Sequence, residues 1–366
     1  MPSLNAVFMG TPEIASESLS HIAELEKLNV IGLKSVYTKP PVWNNKKKEF
    51  AASPVNKLAI ERGINVRTPK NLKNNTEEID FLKSLDLDLI IVVAFGIILP
   101  AEILNIPKYG VLNLHPSLLP DLRGPSPIHY AILKRMKFSG VSIMALDSGV
   151  DTGPIIAQQR TDIDKNEYFP DLYKRLSLSG AFLLAEVIKT VSKLKINIHK
   201  CGLPQDSISS GSFSLTKLIE PDELKVDFFF DDPLEIYAKT RAFTEAGGAF
   251  FVFGNKKIKI IEAGLIADEK DKEIKEKCFD NAGERVIFDY CDYADYPLYS
   301  QENLKNEMNA LPPGIIISAN KSGLLVSTVK KGVYIRLFKL KPEGKNVMNY
   351  IDFINGFRIK QGEECR

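Results

Sequence analysis

Long apolar runs are missing from this 366-residue chain: none reaches the roughly 18 residues that a membrane-spanning helix needs. Its start, MPSLNAVFMGTPE, also lacks a basic segment followed by an extended apolar core, so the chain is expected in the cytoplasm, without a membrane association. Cysteine is scarce. Cys201, Cys278, Cys291 and Cys365 form no C-x-x-C and have only His199 near any of them, so neither a disulfide framework nor a zinc site is expected, and no metal is assigned. The turn FMGTPE holds Gly10 but lacks the second and third glycines that admit a pyrophosphate, which excludes an NAD fingerprint. A strong net charge is absent too. The formal +2 nevertheless hides a partition: residues 1–200 carry +5 and residues 201–366 carry −3, with −7 concentrated in 261–310 and +7 in 311–360. A basic tail region therefore coexists with an acidic insertion, and basic surface of this kind attracts polyanions.

What is present in the first half is an alternation of short apolar strands and helical segments. NAVFMG reads as a strand ending at Gly10, followed by a helix with Thr11 as N-cap and Pro12 at its first position. VIGLKSVYT and INVRT read as further strands, SPVNKLAIERG as a helix closed by Gly63, and TEEIDFLKSL as another helix. LDLIIVVAF is a continuous apolar run of the sort required by a parallel strand buried on both faces. The order predicts an α/β, doubly wound domain with ligands at the carboxyl ends of its strands.

Two stretches carry chemistry. In VLNLHPSLLPDLRGPSPI, alternation along an extended chain aims Asn113 and His115 at one spot while Leu112 and Leu114 point away. In GVSIMALDSGVDTGPII, a strand leads into a glycine-rich loop carrying Asp147 and Asp151. Asp147 is balanced between capping its own turn and a functional role. Asp151, beyond Gly149, is the better candidate to return towards Asn113 and His115. An Asn, a His and an Asp beside an apolar slot make an acyl-transfer site that needs no nucleophilic Ser or Cys. AFGIILP, just past the most buried strand, suits the wall of a flat heterocycle pocket or an ordinary strand exit.

The pair NLHPSLLPDLRGPSPI and GVSIMALDSGVDTGPI resembles the paired signature of the 10-formyltetrahydrofolate-dependent formyltransferases, specifically those that act on methionyl-tRNA. FMGTPE, SPVNKLA, IVVAFGIILP, RAF at Arg241–Phe243, PGIIISANKSGLLVST and the tail LKPEGKNVMNYIDFINGFRIKQGE extend the match over most of the chain. The resemblance implies a Rossmann-like catalytic domain over residues 1–206 and, over 207–366, an OB-like β-barrel domain that binds tRNA; an acidic insertion around 263–310 lies outside the match. It implies that Asn113, His115 and Asp151 are catalytic. Ala94, Phe95, Gly96 and Ile97, the loop Ser117, Leu118, Leu119 and Pro120, and Asp147 with Gly149 would line the folate slot. The cosubstrate would be 10-formyltetrahydrofolate, the acceptor initiator methionyl-tRNA, and the protein a monomer.

The second half agrees in pattern: VDFFF, FFVFG, KKIKIIEAG, GIIISAN, GLLVSTV and GVYIRLFKL read as short strands punctuated by lysine, as expected of a small antiparallel barrel with a basic face. YIDFINGF reads as a final helix. One departure concerns the loop after the second strand, where the family usually presents arginine to tRNA. Here TKPPVWNNKKKEF offers Lys46, Lys47 and Lys48 for tRNA contact, with charge but without arginine's planar fork. Trp43 stacks on a base or packs against the loop's prolines. Arg123 either contacts tRNA phosphate or locks its own loop, and His129 receives no catalytic role. The alternatives are a sugar-amine or glycinamide ribonucleotide formyltransferase, which would share the same three polar residues, and a noncatalytic RNA-binding relative.

Overall fold

In a computed structural model, residues 3–45, 48–208, 214–244, 247–267, 312–321 and 323–365 are described. They fall into two units. The first contains the described residues up to Ile128 together with Phe138–Asp162 and Asp171–Lys217; the second contains His129–Lys137, Ile163–Pro170 and the described residues from Leu218 onward.

The first unit is built on alternate burial of apolar strands. β1 (Leu4–Gly10), β2 (Ile31–Tyr37), β5 (Val66–Arg67), β6 (Leu89–Val93) and β7 (Val111–His115) pair in parallel in the order β5-β2-β1-β6-β7. Leu4, Ala6 and Phe8 of β1, with Leu89, Ile91 and Val93 of β6, pack on one face against α1 (Glu13–Lys27) and the long helix α6 (Phe169–Leu194) through Ile14, Leu19, Leu184 and Ile188. Val7, Met9, Ile90 and Val92 face the other way, into a cluster with Leu82 of α3 (Thr76–Ser84) and Ile103 of α4 (Ala101–Leu104). A strand covered on both faces has no solvent side, which is why LIIVV shows no polar alternation. Beyond β7 the sheet turns antiparallel: β8 (Phe138–Ala145) and β9 (Ile155–Asp162) complete seven strands.

The strand order reverses between β1 and β6, and the loops leaving those strands are tied together there. Thr11 does not cap α1. Its hydroxyl instead donates to the Phe95 carbonyl at 2.9 Å, and Pro12, extended, becomes the N-cap. Gly10 is required at this exit, since a Cβ would lie 2.6 Å from that of Ala15 and 2.9 Å from the Val93 carbonyl. α2 (Pro54–Glu61) is capped by Ser53 and closed past Arg62 by Gly63 at φ 69°.

The loop after β2 is a hairpin, β3 (Val42–Asn44) with β4 (Glu49–Ala51). Trp43 packs edge-on against its cross-strand neighbour Phe50, with centroids 5.2 Å apart, and stays 49% exposed. Lys48 lies near the tip in the left-handed region at φ 53°, whereas Lys46 and Lys47 lie outside the described residues.

At the ends of β2 and β5, the Arg67 guanidinium clamps the buried Glu78 through Nε and a terminal nitrogen at 2.6 and 3.0 Å, and the Tyr37 hydroxyl donates to the same carboxylate at 2.7 Å. Burial, with Glu78 at its oxygen, pushes the Tyr37 phenol's pKa up. Arg67→Ala leaves a buried carboxylate without its cation, and the expected result is a loss of about 3 kcal/mol, read as a lower denaturant midpoint at unchanged slope.

The second unit holds α7 (Pro233–Ala242), capped by Asp232, and an antiparallel sheet. Its strands are β10 (Phe250–Phe253), β11 (Lys256–Ala267), β12 (Ile316–Asn320), β13 (Gly323–Ser327), β14 (Val333–Pro342) and β15 (Met348–Asn349). They run β10-β11-β14-β13-β12, with β15 added on β14. Among the described residues no pairing joins β10 to β12. VDFFF is not a strand: Asp227 accepts from the Phe229 amide and Asp231 from the Asp227 amide, so local carboxylate turns outcompete pairing and only Lys225 bridges to Phe250. α8 (Tyr350–Phe357) follows, closed by Arg358 in the left-handed region. Most of the acidic insertion, residues 268–311, lies outside the described residues.

His129, on α5 (Pro127–Leu133), is half-buried in this second unit. Its ring stacks on Phe169 at 4.1 Å and lies 6.3 Å from Phe243. Burial lowers its pKa to about 4. The unfolded chain therefore binds the proton first on acidification. The stability present above pH ~6.5 is lost progressively as the pH falls towards 4, by up to about 3 kcal/mol. His129→Phe is expected to flatten the dependence of unfolding free energy on pH across that window.

Candidate active site

β7 brings Asn113 and His115 to the same face as Val111 while Leu112 and Leu114 join the opposite core. Both polar residues are nearly enclosed, at 8% and 5% exposure. Asn113 has no side-chain hydrogen bond among the described residues. The carboxamide is not among the fully enclosed polar atoms left without a partner, so it stays open to water or to a ligand. His115 is held at both nitrogens: Nε2 lies 2.9 Å from the Leu122 carbonyl, to which it donates, and Nδ1 lies 3.5 Å from Asp151 Oδ2.

The loop after β8 delivers that carboxylate. Gly153 lets it fold back, since a Cβ there would run into the Ala145 carbonyl. Asp151 sits in the left-handed region at φ 50°, and its Oδ2 accepts from the Gly124 amide at 2.8 Å. Asp151 thus links the His115 ring to the RGP turn. Asp147 turns inward on its own loop instead, with Oδ1 accepting from the Gly149 amide at 3.0 Å and the Thr152 hydroxyl at 2.8 Å. Of the two readings left open for it, these contacts are those of the self-capping turn.

The remaining expected residues surround this exit. β6 and β7 pair Val93 with Leu114, so Ala94 leaves its strand beside His115. Ala94 at φ 44° and Gly96 at φ 73° bend the chain, Phe95 is buried in the core, and Ile97 is half-buried. Ser117 is buried and donates to the Asp121 carbonyl, curling the SLLP segment through Leu118, Leu119 and Pro120. Arg123 is buried as well. Its Nε donates to Gln205 Oε1 at 2.9 Å and its peptide pairs with Ser214 and Thr216, contacts that belong to the loop-locking alternative.

Several supporting residues escaped the reading of the sequence. Ser142 donates to the Ser117 carbonyl and accepts from the Leu119 amide, and Gln158 donates to the Leu119 carbonyl and to Ser142. A serine inside the buried run VSIMAL was the available signal. Gln205 and Ser214 gave none, because they act across more than fifty residues of chain.

Residues 5–188 match the family described as Formyl transferase, and residues 218–358 the one described as Formyl transferase, C-terminal domain. Among solved structures, WlaRD, a sugar 3N-formyl transferase, superposes with a TM-score of 0.57 at 20% identity, over 94% of this chain and 100% of that one. HypX from Aquifex aeolicus, solved with tetrahydrofolic acid, gives 0.56 at 15% identity over 99% of this chain and 48% of that one. At those identities the likeness concerns the fold alone. Closer in sequence are methionyl-tRNA formyltransferases. That of Caldicellulosiruptor saccharolyticus is 32% identical over 98% of this chain and 99% of its own length, and that of a Wolbachia species 37% identical over 75% and 86%. The two matched domains and the end-to-end identity agree: this chain belongs to the methionyl-tRNA formyltransferase family.

Proposed function

We propose that this enzyme transfers the formyl group of 10-formyltetrahydrofolate to the α-amino group of methionine esterified to initiator tRNA, at the exit of β7. The observation that carries the reading is end-to-end identity with methionyl-tRNA formyltransferases, the second domain included. The unpartnered Asn113 carboxamide supports the location, because it offers a hydrogen bond that the described residues do not use.

In this reading the amine attacks the formyl carbon and a negative oxygen develops; the tetrahedral intermediate then collapses by breaking the bond from the formyl carbon to folate N10, and the proton lost by the amine passes, directly or through water, to that leaving nitrogen. Asn113 donates to the negative oxygen from its amide. His115 donates from Nε2, which now rests on Leu122. Asp151 keeps the ring oriented through Nδ1 and stabilises positive charge on it while the amine loses its proton. Ala94, Phe95, Gly96, Ile97 and the Ser117–Pro120 loop, with Asp147 and Gly149, would border the folate. The composition of this border suits a flat heterocycle: exposed backbone at Ala94 and Gly96, both with positive φ, alternates with the apolar Phe95 and Ile97. The decisive experiment measures radiolabel transfer from formyltetrahydrofolate to charged initiator tRNA, with uncharged tRNA and a free sugar amine as controls. Labelling of the sugar amine alone would overturn the assignment.

We read the second unit as an OB-like module that holds the tRNA, supported by its antiparallel meander and by exposed lysines on and beside the strands. Lys48 and its neighbours in the hairpin would approach the acceptor end. Replacing Lys256, Lys341 and Lys345 by Gln is expected to weaken tRNA binding while leaving folate binding intact. For every phosphate no longer neutralised, the slope of log affinity against log salt should become shallower by about 0.7–0.9. Filter binding across a salt series checks this.

A further inference from the structure

We propose that Gln205 is a positioning residue for the reaction, clamping the Asp151 loop and the Arg123 loop into one rigid support for His115. The inference rests on the formyl-transfer reading above for its kinetic consequence, and on the geometry alone for its structural one. Gln205 lies in a short 3-10 turn of residues 205–207, after α6 and outside both motifs that carry the chemistry, yet it is only 2% exposed. Its amide nitrogen donates twice, to the carbonyls of Asp151 and Gly153, each at 2.8 Å. Its amide oxygen accepts from Arg123 Nε at 2.9 Å. Three bonds from one carboxamide thus reach both loops that flank the imidazole.

The placement matters because neither loop is held by regular pairing where it meets His115. Asp151 has φ 50° and Leu122 has φ 58°, left-handed conformations that non-glycine residues keep only when their surroundings impose them. Asp151 Oδ2 and the Leu122 carbonyl are the two acceptors that flank the His115 ring. Gln205 holds the first through the peptide of Asp151 itself and the second through the residue after Leu122. Nearby strand-like contacts reinforce the same join: Leu203 pairs with Ile155, and Ser214 and Thr216 pair with Arg123. The segment after α6 therefore serves the site and is more than a tether.

Gln205 touches no reacting atom, so its effect must pass through Asp151. Gln205→Met keeps the length and apolar stem but none of the three bonds. It is expected to lower kcat at least tenfold with KM for methionyl-tRNA changed less than about threefold. Combined with Asp151→Asn, it should cost much less than the product of the single losses, because the carboxylate it positions is already gone. A spectroscopic readout is independent of the acceptor. With four histidines in the chain, the His115 ring signals can be assigned by substitution, and Gln205→Met should displace them while leaving those of His129 in place. If Gln205→Met does not fold, Gln205→Asn, which withdraws the same carboxamide by one methylene, makes the same comparison. Multiplicative losses in the double variant, or unmoved His115 signals, would overturn the proposal. Wild-type protein that fails to formylate methionyl-tRNA while the His115 signals still respond to Gln205 would overturn the substrate reading alone.

Discussion

Asn113→Ala is expected to reduce the kcat of formyl transfer by about 10²–10³-fold, the range seen when one donor to a developing oxyanion is removed, with little effect on folding. The asymmetry follows from its surroundings. Asn113 makes no side-chain hydrogen bond among the described residues, so truncating it breaks none. His115→Ala is expected to lose activity on the same order but to be less neutral for the fold, since its Nε2 bond to Leu122 disappears and the turn loses an anchor. Single-turnover rates at saturating folate and tRNA, paired with thermal unfolding of each variant, make the comparison. Near-normal turnover of both variants at unchanged stability would remove the site from the exit of β7.

Asp151→Asn is expected to cost 10²-fold or more, in the range for removing a group that assists proton transfer, while Asp147→Asn costs less than about tenfold. With Asn at position 151, the side-chain amide oxygen can still accept from the Gly124 amide, so the loop survives and what is removed is the charge facing His115 Nδ1. At Asp147 the important contacts are to a backbone amide and a threonine hydroxyl, both of which an Asn oxygen also accepts. The two substitutions are chemically identical and lie four residues apart, so the difference between their rates isolates position from chemistry. A larger loss at Asp147 would reverse the assignment within the loop.

The chemistry proposed here was legible where the pattern is local. Asn113 and His115 share a face because a strand has a period of two, and Leu112 and Leu114 had to take the core. That Thr11 gives up its cap for the Phe95 carbonyl was not legible, since the competitor lies 84 residues away. VDFFF failed for a related reason. Aromatic residues favour strands, but Asp227 and Asp231 offer the backbone nearer partners.

Periodicity, turn residues and the two motif stretches by themselves determined the α/β character of the first half and the strand-rich character of the second, and they singled out the polar residues proposed to carry the chemistry. Only the tertiary structure decided the antiparallel turn of the sheet beyond β7 and showed the contacts that Asp147 and Asp151 make. It alone also showed the convergence of Gln205, Arg123 and Asp151 beneath His115. The physical reason is range: hydrophobic period and turn chemistry act over a few residues, whereas a buried carboxamide chooses its partners from whatever the packed chain brings within hydrogen-bonding distance, about 3 Å.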